Sequence, residues 1–153
     1  MPNTYEWLLF AHILLVIIWL GGAIQLQILG LLARRATEPG RVERLAGDAS
    51  WVGMRVFTPA SLLVLITGLL LVREVGGIEL GDTWVWLALV LWGLSFLIGA
   101  GLLGPRAGAI GKRLGGDADP AETRRMIDQL FVILRIDLAI LVAIVFLMTT
   151  KPD

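Results

Sequence analysis

Two ionisable residues sit inside long apolar runs, where a charge is costly unless it has a purpose. His12 is the single histidine of the chain and lies in "FAHILLVIIWLGG" (Phe10–Gly22). It is about two helical turns into that run, roughly 10 Å deep at 1.5 Å per residue. On a helix it shares a face with Leu8, Leu15, Val16, Trp19 and Ala23. An apolar face with one imidazole nitrogen can supply an axial ligand to a metalloporphyrin, because a helix bundle can enclose a flat apolar cofactor. The same imidazole can instead hydrogen-bond to a neighbouring helix and hold the bundle together.

Asp137 lies in "ILRIDLAILVAIV" (Ile133–Val145). A carboxylate at the centre of a membrane helix costs about 2.5–3.5 kcal/mol on insertion scales, so it needs a partner or a proton. Arg135 is two residues away and on a different helical face, from which it can snorkel to the headgroups. Arg55, in a separate apolar run, is the expected interhelical partner. Such a pair reads either as a proton relay or ligand anchor, or as an ion pair that fixes helix order. Gln25 and Gln27 are expected to hydrogen-bond across the bundle, and Thr58-Pro59 to kink its helix.

Several chemistries are excluded. One histidine and no cysteine leave no protein-only transition-metal site of the usual kind, so haem iron is the one metal considered. There is no Walker-type or dinucleotide-binding glycine motif and no nucleophile elbow. The glycines of "GPRAGAIGKRLGG" (Gly104–Gly116) follow an apolar run, not a strand. They read as a basic loop that meets anionic lipid headgroups.

The elements that carry these residues are membrane helices. Of the 153 residues, 57% are hydrophobic, well above a soluble domain. Four apolar spans are expected at about 5–33, 51–72, 84–104 and 130–149. Each is long enough to cross a hydrocarbon core, and each must be helical to satisfy its own backbone in lipid. The fold class is therefore all-α: one polytopic domain over residues 1–153, an antiparallel four-helix transmembrane bundle. "MPNTYEW" has no basic residue before the apolar run, which does not fit a secretory signal.

The connections set the direction. The first carries Arg34, Arg35, Arg41 and Arg44, and the third carries Arg106, Lys112, Arg113, Arg124 and Arg125. The second loop and the tails together offer Arg73 and Lys151. The positive-inside rule puts loops one and three in the cytoplasm and both termini outside. Pro39-Gly40, Gly76-Gly77, Gly104-Pro105 and Asp119-Pro120 read as loop signals. The charged segment 120–129 is expected either to lie along the inner interface or to extend the fourth helix inward. Ser95/Gly99 and Ala100/Gly104, at four-residue spacing, and Gly21-Gly22 read as close-packing positions. The balance of 13 basic and 13 acidic residues points to no nucleic-acid partner. The expected partners are the lipid bilayer and either a second copy or a larger membrane complex.

"AHILLVIIWLGG", "FTPASLLVLITGLLL" and "AIVFLMTTKP" resemble a superfamily of small bacterial four-helix membrane proteins. It includes HemJ-type protoporphyrinogen IX oxidases, the CopD-like copper-resistance domain, and an uncharacterised branch of predicted integral membrane proteins. The "H…WLGG" opening and "M…KP" ending are most similar to the last. The resemblance covers the whole chain in order and spacing, and it implies a bacterial inner-membrane location. It also implies a b-type haem on His12, the HemJ-type enzymes having a histidine in this helix. Pro59-Ala60 and Lys151-Pro152 match further positions. With one histidine available, Met148 and Lys151, on the outer side with His12, are the candidates for a second ligand. The chain departs from the enzymes at the third helix, where they have His-x-Lys and it reads "DTWVWLALV". It departs again in the fourth, where Leu134-Arg135-Ile136-Asp137 replaces Asn-Glu-x-Pro. Copper sites need clustered His, Met or Cys, and the four methionines are scattered. Three functions follow as expectations: a haem-binding membrane protein, extending to protoporphyrinogen oxidation; a non-enzymatic accessory or assembly subunit; and a small proton-coupled transporter using Asp137.

Overall fold

The computed structural model describes residues 3–35, 40–76, 79–113 and 119–152. Its elements run α1 (Thr4–Arg35), α2 (Arg41–Val52), a π-helical turn (Gly53–Phe57), α3 (Thr58–Glu74), α4 (Thr83–Leu97), a second π-helical turn (Ile98–Leu103), α5 (Gly104–Gly111) and α6 (Pro120–Thr150). α2 runs through its π turn into α3, and α4 through its own into α5. Among the described residues there are thus four continuous rods, each long and apolar enough to cross a membrane. The end that carries both termini is termed outer, following the charge rule.

The rods begin where local chemistry satisfies their first amides. Asn3 Oδ1 accepts from the Glu6 amide and Glu6 Oε2 accepts from the Asn3 amide, both at 2.9 Å. That reciprocal pair is a capping box at the start of α1. Asp119 caps α6 by accepting from the Ala121 amide at 2.9 Å, with Pro120 in the first turn, where no amide is needed. Segment 120–129 therefore extends the fourth rod inward. Arg113 and Glu122, 2.8 Å apart, bridge the inner loop at the surface.

Two sequence expectations change. The second and third spans, expected at 51–72 and 84–104, continue inward as helix to Arg41 and Gly111. Gly104-Pro105 lies inside the third rod and is not a loop. The reason is the same at both prolines. A helix-interior proline lacks an amide and clashes with the carbonyl four residues back. Each rod answers with a wide turn ending just before the ring. The Thr58 amide bonds to the Gly53 carbonyl and the Gly104 amide to the Gly99 carbonyl, five residues back in each case. Thr58 Oγ1 adds a bond to the Gly53 carbonyl at 3.0 Å. The expected kink at Thr58-Pro59 is thus a π turn. Of the other turn signals, Gly40 takes the left-handed conformation (φ 72°) before α2. Pro39, Gly77 and Gly115-Gly116 lie outside the described residues.

The most heavily packed pairs are α1 with α3, α4 with α6, and α2 with α5, while α3 and α4 touch little. The α2–α5 crossing explains the glycines of the expected basic loop. A Cβ on Gly111 would stand 2.7 Å from the Gly47 Cα and 3.0 Å from its amide nitrogen. Backbone meets backbone there, as small residues allow in membrane helices. Gly22 and Gly30 of α1 leave room for the rings of Phe57 and Phe131. The buried core gathers at the inner end around Ala46, Ala107, Ile110 and Leu130. Large apolar side chains such as Trp7, Ile17, Trp86, Leu97 and Phe146 cover the outside, the arrangement that suits a lipid solvent.

Candidate functional site

His12 is 7% exposed and faces α3. Its Nδ1 lies 2.9 Å from Thr67 Oγ1. Thr67 Oγ1 also lies 2.7 Å from the Leu63 carbonyl and 3.2 Å from the Val64 carbonyl, which can take its one proton. With the proton so placed, Thr67 accepts from Nδ1–H, and the other ring nitrogen, Nε2, keeps its lone pair. Gly68 makes the approach possible, since a Cβ there would meet His12 Cε1 at 3.2 Å. The imidazole ties the first rod to the second near their outer ends.

Asp137 is 8% exposed and is not paired with Arg55. Its Oδ1 accepts from Ser95 Oγ at 2.6 Å. Arg55 is exposed, with its guanidinium 4.8 Å from the centre of the Trp51 ring. The expected ion pair fails because Arg55 sits in the π turn on an exposed face, against Trp51 and the α2–α5 groove, where it can reach the headgroups. Arg135 is exposed on α6, on a different face from Asp137, as its spacing implied. Among the described residues, no salt bridge reaches Asp137.

A cavity of about 810 Å³ opens beside Asp137. Along α1 its wall runs from Trp19 to Gly30, about 16 Å at 1.5 Å per residue. Residues of both π turns line it, including Gly53, Phe57, Gly99 and Leu103. The proline-imposed wide turns thus form much of the wall of the chamber. Asp137, Ser95 and Ser61 supply polar groups in an otherwise largely apolar lining, and Lys112 stands at its inner end. Met54 of the second rod and Ala100 of the third line the cavity and are both exposed. The chamber therefore opens sideways between the second and third rods, toward lipid.

His12 is not in that wall. Trp19, the first α1 residue in the lining, is seven residues further in, about 10 Å along the helix. Lys151 sits with Nζ 5.6 Å from the centre of the Trp84 ring, and Met148 is half-buried in the last turn of α6. Neither is hydrogen-bonded to His12 among the described residues. Gln27 is buried, and among the described residues its Nε2 has no partner; Gln25 is exposed.

Several residues of the site escaped the sequence reading. Ser95 looked like a small packing residue, and its hydroxyl is the partner of Asp137. Ser61 and Trp92 carried no signal. Yet Trp92 Nε1 donates to the Ser61 carbonyl at 3.1 Å, and its ring stacks on Phe96 with centroids 5.3 Å apart. Gly99, also read as a packing position, has open space where a Cβ would stand.

The family model described as "Predicted integral membrane protein (DUF2269)" matches residues 6–152. No curated protein and no solved structure matches the chain.

Proposed function

The chain belongs to DUF2269, a family of predicted integral membrane proteins, and we propose that it binds a small, largely apolar molecule inside its four-helix bundle. The single observation that carries this reading is the cavity of about 810 Å³ with a buried carboxyl–hydroxyl pair in its wall. Its size is that of a small-molecule site, and such sites combine an apolar lining with a few convergent polar groups. A buried Asp inside a membrane marks function by default. π turns recur at functional sites, and two of them shape this chamber. The location we infer is a bacterial cytoplasmic membrane, from the charge bias of the loops and the superfamily resemblance.

Gly99→Leu tests this directly, because Gly99 lines the cavity and a Cβ there would meet nothing within 4 Å. The wild type, released intact from mild detergent into a mass spectrometer, is expected to carry a bound species that Gly99→Leu lacks. Equal masses of bound material on both proteins would overturn the reading.

A second reading, haem on His12, has one specific observation in its favour. Thr67 Oγ1 lies 2.9 Å from Nδ1, so a proton held on Nδ1 leaves Nε2 as the free lone pair, the arrangement by which outer partners orient metal-ligating histidines. Against it, the cavity wall does not include His12, and the Nδ1–Cε1 edge of the ring is committed to α3. The absorption spectrum of protein from haem-supplied cells decides. A Soret band that vanishes in His12→Ala would establish ligation, and a colourless, folded wild type would exclude it.

A further inference from the structure

Resting on the cavity reading above, we infer that the site takes an organic ammonium ion carried on an apolar body, with Asp137 as its counter-ion and Ser61 as a second hydrogen-bond partner. Four observations converge. First, Asp137 lines the cavity, and no cationic side chain among the described residues forms a salt bridge to it; its Oδ1 accepts one bond, from Ser95. A carboxylate at this depth is stable only with a positive partner or a proton. Second, Ser61 is 3% exposed, lines the same cavity, and its Oγ has no hydrogen-bond partner among the described residues. Buried hydroxyls are normally satisfied, so this one waits for a group that the bundle itself does not supply.

Third, the two polar groups stand at adjoining levels. Trp92 binds the Ser61 carbonyl and Ser95 binds Asp137. Trp92 and Ser95 are three residues apart on α4, one helical turn, or about 4.5 Å of rise. Fourth, Trp19 and Phe96 line the cavity as well, and aromatic faces attract organic cations, more strongly when water is excluded. An ammonium group offers several N–H donors. It can give one to Asp137 and another to Ser61 while its apolar body lies along the wall toward Gly30. A fully apolar ligand would leave both oxygens unused. An anionic one would set its charge against Asp137. The lateral opening between the second and third rods suits a molecule that first partitions into lipid.

Adamantylamine and adamantanol share one apolar skeleton and differ in the group presented to Asp137. Each is titrated into the full-length protein in a non-ionic detergent, with thermal unfolding and tryptophan fluorescence as readouts. The amine is expected to bind about tenfold more tightly than the alcohol, the factor that corresponds to about 1.4 kcal/mol. Asp137→Asn, which can still accept from Ser95, is expected to erase the difference. Ser61→Ala leaves the Asp137–Ser95 bond intact, so it is expected to weaken the amine about threefold, within the usual worth of one hydrogen bond, without lowering the melting temperature. Equal binding of amine and alcohol by the wild type, or a preference that survives Asp137→Asn, would overturn the inference. If neither probe binds while the Gly99-dependent bound species is present, the cavity reading stands and the ammonium assignment falls. If both are missing, both fall.

Discussion

The outer end and the middle of the bundle hold their polar groups for opposite purposes. At the outer end the buried imidazole of His12 is tied to Thr67 across two rods, with Gly68 cleared to admit it. Deeper in, near the middle of the rods, the carboxyl of Asp137 has one hydroxyl partner and faces a chamber, with the Ser61 hydroxyl, unpartnered among the described residues, in the same wall. Two buried ionisable groups on one scaffold thus meet different surroundings. The difference traces to the prolines. Pro59 and Pro105 each force a wide turn, and both turns lie on the inner side of Ser61 and Ser95. Where the rods are regular, as around His12, the helices close and a polar group becomes a tie. Where they widen, a cavity opens and a polar group becomes available to a ligand.

This contrast can be broken at several points. The largest stability effect is expected at the α2–α5 crossing, which holds the inner ends together below the chamber. Gly111→Leu would drive a side chain into the backbone of Gly47, and thermal unfolding should show a loss of about 1–3 kcal/mol, the usual cost of overpacking. Asp137→Leu combined with Ser95→Ala, so that no buried hydroxyl loses its acceptor, should act in the opposite sense. It removes polar groups that the fold does not need and fills part of the cavity, so the double variant is expected to gain about 1 kcal/mol in denaturation while losing the amine preference. A destabilised double variant would mean that Asp137 belongs to the fold, as His12 does. At the outer end, Thr67→Val removes the acceptor of the His12 bond, and the expected loss is about 0.6 kcal/mol, the average for such bonds in a membrane protein. Its ligand binding should equal that of the wild type. Smallest of all, Lys151→Ala removes an exposed cation from the Trp84 ring and should cost about 0.5 kcal/mol, with no change at either buried group.

Much of the architecture is legible in the residues themselves. Long apolar runs and alternating loop charge give four spanning rods, because lipid accepts no other pattern from such segments. Their inner ends are harder to read. Gly104-Pro105 carries a standard loop signal, and only the hydrogen-bond pattern of the preceding turn reveals a continuous helix. The Asp137 partner is hidden for a related reason. Opposite charge favours Arg55, but a guanidinium in a π turn can reach the headgroups, and a serine one rod away takes the buried position. Ser61 could not have been found in advance, since a lone serine in an apolar run usually bonds back to its own helix. The cavity is a property of two turns taken together, and no local pattern encodes it.

The division between the outer end and the middle comes down to where a bound molecule is held, and the intact mass of His12→Leu beside that of the wild type measures it. Both proteins are released from the same mild detergent under native conditions. The expected result is that His12→Leu keeps the species bound to the wild type, because the cavity that holds it begins about 10 Å further in along α1, at Trp19. Loss of the bound species in His12→Leu, with the fold intact, would contradict this division and move the site to the outer end.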